Sequence, residues 1–182
     1  MSDTWDSGVV ETYSGQGFDV LNPDPTDIHL GDVAAALSHV CRFGGHCRQF
    51  YSVAQHSIHV SRELPDDKPR LQMLGLPHDA AEAYVGDIPR PLKAEHDAFE
   101  RIEERVLEAV WPAFGVDPPR PSEWERVMTA DDRLLAYEAD ELLADGSWAA
   151  GSPPLEYDLD SMPAEAVRER FTARCETLLD RM

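Results

Sequence analysis

Positive charge is scarce in this chain: its 182 residues include 16 Lys and Arg against 35 Asp and Glu, a formal charge of −19. That balance repels phosphate backbones, and no run of Lys or Arg reverses it locally, so no nucleic-acid partner is expected. Cysteine is scarcer still. Cys41, Cys47 and Cys175 are odd in number and lack the C-x-x-C spacing of zinc or thiol redox motifs, which leaves reduced thiols as the expectation. Long apolar runs are missing too, and no window reaches the length that spans a bilayer, so no membrane partner is expected. The first twenty residues carry Asp3, Asp6 and Glu11 with neither a basic start nor an apolar stretch, unlike a secretory signal, and a cytoplasmic setting follows. No strand signal stands out.

What is present is a globular composition, 42% hydrophobic with four Trp, at a length that suits one domain over 1–182. Residues 1–28 are rich in Gly, Pro and Asp and read as an extended or turn-rich lead-in. From Asp32 the pattern becomes helical. Asp32 caps a helix to His39, Ser52 caps one to Leu64, and a third runs from about Lys68 to Val85. After Pro89 and Pro91, His96–Val110 and Ser122–Leu143 are amphipathic, with Ser122 and Glu125 spaced as a capping box. The core thus occupies about 32–145, and 146–182 is a loop followed by a helix from Pro163 to Leu179. The fold class is all-α.

Three stripes carry polar residues where a bundle ordinarily places Leu or Ile. Val53, His56, Val60 and Leu64 share one helix face, with His59 pointing elsewhere; Leu71, Leu74, His78, Ala81 and Val85 share another, with Asp79 and Glu82 beside it. On the Ser122 helix, Val127, Asp131, Leu134, Glu138 and Leu142 form a third. Burying such carboxylates unpaired costs several kcal/mol. A divalent cation gathered by His56, His78, Asp79 and Asp131 neutralises them and explains why three helices each place a ligand at a core position. The same periodicity admits a hydrogen-bonded core His56 with Asp131 on the surface, since Asp132 also fits a stripe with Met128 and Leu135. Pattern alone leaves both readings open.

The runs Tyr51–Ser57, His78–Tyr84 and Gly86–Lys93, closed by Ala130-Asp131, resemble the HD-domain metal-dependent phosphohydrolases in their order H…HD…D. Over roughly residues 32 to 140 the likeness is to the small nucleotide hydrolases of that superfamily, the bacterial 5'-deoxynucleotidases and the phage deoxyadenosine triphosphate triphosphohydrolases. The resemblance implies a helical bundle with one divalent metal ion (Mn, Co, Zn, Fe, Ni or Mg) among the central helices, held by His56, His78, Asp79 and Asp131. It selects Asp131 over Asp132. Glu82 falls on the carboxylate that orients the attacking water, and Asp87 on the one near the leaving oxygen. Arg42 and Phe43 fall on an Arg-Trp pair that holds the nucleotide, with Phe in place of Trp. His46 is read as a further phosphate donor or a substitute ligand, and Lys93 and Arg90 as charges at the mouth of the site that either face the phosphates or are simply exposed.

The activity so implied is metal-dependent hydrolysis of (deoxy)nucleotide phosphates, as a 5'-deoxynucleotidase or a triphosphohydrolase, with a catalytically weak nucleotide sensor as the alternative. The partner is a small nucleotide, related enzymes often form homo-oligomers, and the setting is the cytoplasm, or a host's cytoplasm for phage members. One departure is Pro77, directly before His78, which removes a backbone donor and kinks a continuous helix.

Overall fold

A computed structural model describes residues 8–149, 151 and 153–182. The first seven residues of the expected lead-in, and Ala150 and Ser152 of the 146–155 loop, lie outside the described residues. Eight helices are found among the described residues: α1 (Leu30–His39), α2 (Val53–Glu63), α3 (Pro69–Gly75), α4 (Glu82–Val85), α5 (Arg90–Lys93), α6 (Asp97–Ala113), α7 (Pro121–Leu142) and α8 (Ala164–Asp180). No helix among these residues is long and apolar enough to cross a membrane.

The central helix is α2, which packs on α1, α3, α7 and α8. Ser52 caps it by accepting the Gln55 backbone N–H at 3.2 Å, the expected start. Every residue from Val53 to Ser61 is buried, so α2 has no solvated face, and His59 is buried as well as His56. The expectation that His59 points away fails because α8 and the 155–162 segment cover that side; the His59 ring stacks on Tyr157 at 4.7 Å.

Four further expectations are corrected. The lead-in is not wholly irregular: β1 (Val9–Glu11) pairs antiparallel with β2 (Gly17–Asp19) and buries Phe18 on Tyr84, ring centroids 4.0 Å apart. The folded part therefore begins well before Asp32, which is not a cap but sits inside the first turn of α1 and accepts Ser14 N–H and Oγ–H at 2.8 Å. The single helix from Lys68 to Val85 is two, because Pro77 ends the first; residues 76–81 form turns before α4 resumes. The cap of α7 lies two residues earlier than Ser122, at Arg120, whose N–H donates to Glu123 at 2.9 Å. Pro121 at the first helical position outranks the Ser122 signal.

Candidate functional site

Three segments bring the polar stripe residues to one point. α2 presents His56, the turn after Pro77 presents His78 and Asp79, and α7 presents Asp131. His78 Nε2 lies 3.2 Å from Asp79 Oδ2 and 3.8 Å from Asp131 Oδ1; His56 Nε2 lies 3.0 Å from Asp131 Oδ1 and 3.7 Å from Asp79 Oδ2. Ligand atoms of His56, His78 and Asp79 fall within 4.8 Å of one another, a group that can hold a metal ion. The break at Pro77 thus turns His78 inward rather than displacing it.

The other side of each imidazole is occupied. His56 Nδ1–H donates to Glu138 Oε1 at 2.8 Å and His78 Nδ1–H donates to the Gly75 carbonyl at 2.9 Å. Neither Nε2 makes an aligned hydrogen bond among the described residues, although both are buried. With Nδ1 carrying the proton, each Nε2 turns its lone pair to the cluster, the arrangement by which metal-bound histidines are held. Two imidazoles and two carboxylates suit a borderline divalent cation. Without one, the four groups satisfy each other as ion pairs. Burial alone would lower His78, but Asp79 and Asp131 outweigh it and push it up to about 10. Burial would raise Asp131, yet His56 and His78 hold it well below the usual carboxylate range.

Glu138 is the residue whose role the sequence did not reveal. It shares the α7 stripe with Asp131, and it is wholly buried. Its carboxylate accepts from His56 Nδ1–H and, at 2.8 Å, from Tyr51 Oη–H, and it faces the Arg42 guanidinium at 3.2 Å. Tyr51 Oη in turn accepts from His59 Nδ1–H at 2.9 Å, so a buried chain runs from His59 to the back of His56. Arg42 is therefore not a free surface guanidinium: it is buried between Glu138 and Asp79, the latter at 3.7 Å.

Arg90 also differs from a purely exposed charge. It binds Asp131 Oδ2 at 2.7 Å and Asp132 at 2.9 Å, which fixes the Asp131 carboxylate with Oδ1 toward the imidazoles. Asp132 itself is exposed, so the stripe choice between the two acids falls to Asp131.

The cluster lies in a cavity of about 640 Å³ whose lining includes Arg42, Asp79, Glu82, Asp87, Lys93 and Asp131. Glu82 is buried, with Oε1 3.2 Å from Lys93 Nζ and Oε2 without a partner among the described residues. Burial, then Asp79 and Asp87, push its carboxyl well above the usual range, with Lys93 opposing. Lys93 also binds Glu103 at 2.5 Å, so two acids engage its ammonium at the edge of the same cavity. Asp87 Oδ2 accepts the Phe43 N–H at 3.1 Å, which holds Phe43 at a left-handed φ of 56°; Gly44 and Gly45 continue the same tight turn. Phe43 and His46 both line the cavity, His46 at its exposed edge.

No family model matches the chain. It is 39% identical over 142 residues to the uncharacterised protein YfdR of Escherichia coli, which covers 76% of this chain and 75% of that one. It is 33% identical over 182 residues to an uncharacterised protein of Rhodobacter capsulatus, covering 91% and 93%. A shorter likeness, 34% identity over 82 residues and 41% of either chain, is to a 5'-deoxynucleotidase of Cronobacter sakazakii. Identity of this extent over most of both chains shows that the protein belongs to the family of YfdR and its Rhodobacter relative.

Proposed function

We propose that this protein is an HD-type phosphohydrolase that cleaves the 5'-phosphate ester of (deoxy)nucleotides, releasing phosphate from a monophosphate or triphosphate from a triphosphate. The observation that carries this reading is the convergence of His56 Nε2 and His78 Nε2, neither with an aligned hydrogen bond among the described residues, on Asp79 and Asp131, at the floor of a cavity that also holds Arg42, Glu82 and Asp87. The partial likeness to a 5'-deoxynucleotidase supports it. A divalent cation held by these four residues supplies Lewis acidity toward phosphate oxygens and lowers the pKa of water.

The chain's own groups divide the rest of the work. The Glu82 oxygen that has no partner among the described residues accepts the proton of the attacking water. Arg42, kept charged by Glu138 and Asp79, aims its guanidinium at phosphate oxygens; its Nε has no partner among the described residues. Asp87, tied to the Phe43 backbone, stands by the leaving oxygen of the sugar. Attack at phosphorus forms the new P–O bond, the bond to the sugar oxygen breaks, and that oxygen takes up a proton. Both a monophosphate and a triphosphate fit this scheme. Incubating the protein with deoxy- and ribonucleoside mono- and triphosphates under Mn, Co, Mg or Zn, with chromatography of the products, tests it. Orthophosphate from monophosphates establishes a nucleotidase and intact triphosphate a triphosphohydrolase, whereas no turnover with any metal overturns the proposal.

A further inference from the structure

The cavity over the cluster has one wall that phosphate chemistry does not use. Met128 and Leu135 stand three residues before and four after Asp131, on the same face of α7, and Leu143 and Trp148 continue that lining past the helix end. A site that handled phosphate alone has no use for four apolar side chains beside its acids. Trp148 is 61% exposed although it lines the cavity, so its indole meets water until something covers it.

The placement of Trp148 is built in. Gly146 is buried where a Cβ would run into the Ala139 carbonyl, so the chain after α7 folds back in contact with the helix. Asp145 accepts the Ser147 N–H at 3.1 Å, and the Ala149 N–H donates to the Gly146 carbonyl at 3.0 Å, which closes a turn around Trp148. The other aromatic ring in the lining, Phe43, already has the Arg42 guanidinium over it at 5.3 Å. Trp148 is thus the more exposed of the two carbocyclic rings in the lining.

We propose that Trp148 is the platform on which the nucleobase stacks, with Met128, Leu135 and Leu143 enclosing the base while its phosphate reaches the charged floor. This rests on the phosphohydrolase reading and deepens it by assigning the side chains that hold the base, so that base-free sugar phosphates bind poorly. Of these four side chains only the indole N–H is a strong hydrogen-bonding group, so bases are recognised by their faces rather than their edges. Purines are preferred to pyrimidines for their larger stacking area.

The test is steady-state kinetics of the wild type, Trp148→Ala and Trp148→Phe on deoxynucleotides and on the matching base-free 2-deoxyribose 5-phosphate or 5-triphosphate. For Trp148→Ala the KM for nucleotides is expected to rise about tenfold or more, with kcat nearly unchanged. Trp148→Phe is expected to restore most of the loss. An unchanged KM in Trp148→Ala, or a wild type that cleaves the base-free ester as readily as the nucleotide, overturns the inference and leaves the phosphohydrolase reading standing. A wild type that cleaves neither class overturns both.

Discussion

Replacing Glu138 by Leu removes the acceptor of three buried groups at once. His56 Nδ1–H and Tyr51 Oη–H lose their 2.8 Å partner, and Arg42 keeps only Asp79 at 3.7 Å. Leaving a buried charge without its partner costs about 3–5 kcal/mol. For a chain of this size that corresponds to a fall in Tm of about 6–20 °C. The second effect is on the cation. An imidazole without its hydrogen-bonded backing loses its tautomer and ring orientation, and such changes lower metal affinity about 10- to 100-fold. Glu138→Gln separates the two effects. Its amide oxygen still accepts from His56 and Tyr51, so metal affinity is largely kept, while Arg42 stays uncompensated and stability falls. Calorimetry of metal-stripped protein reads the first quantity and cobalt titration against a competing chelator the second. A Glu138→Leu protein that melts within about 2 °C of wild type and binds cobalt equally well refutes this reasoning.

Four further outcomes are expected. Glu82→Ala should lower turnover about 10²- to 10⁴-fold while nucleotide binding persists, measured by single-turnover kinetics beside calorimetric binding; retained turnover removes Glu82 from the chemistry. Asp131→Asn should abolish metal binding and Asp132→Asn should not, which metal analysis of the purified variants resolves. Chelator should lower the Tm of metal-loaded protein, by about 2.7 kcal/mol of stability for metal present at a hundredfold excess over its Kd; an unchanged melt argues for a metal-free structural cluster. Acid should destabilise the fold through His59, which burial lowers from 6.5 to about 4. The unfolded chain binds this proton more readily, so stability is intact above about 6.5 and is lost toward pH 4, amounting to roughly 3 kcal/mol, and His59→Gln should flatten that slope in urea titrations.

Much of the site was legible because buried polar residues break helical stripes. His56, His78 and Asp131 each stood where an aliphatic side chain was expected, and all three are buried at one point. The stripe also contained Glu138, but its partners His56 and Tyr51 lie 82 and 87 residues away, and no local pattern reports a contact of that span. Lys93 lines the cavity, and its half-buried ammonium pairs with Glu82 and Glu103, neighbours that no helical stripe pattern reports. The β1–β2 hairpin was hidden by strands of three residues each, too short to show alternation. The apolar stripe before His78 carries on in register past Pro77 although the helical backbone does not, which hides the break from periodicity.

The most direct measurement is hydrolysis of a deoxynucleotide by chelator-stripped protein as Co²⁺ is titrated back. Activity near zero at the start, rising to saturation at one equivalent of metal, and absent throughout in Asp79→Asn, is the predicted result. Hydrolysis that proceeds equally well in the stripped protein, or none at saturating metal, contradicts the assignment of His56, His78, Asp79 and Asp131 as a metal centre for phosphate ester cleavage.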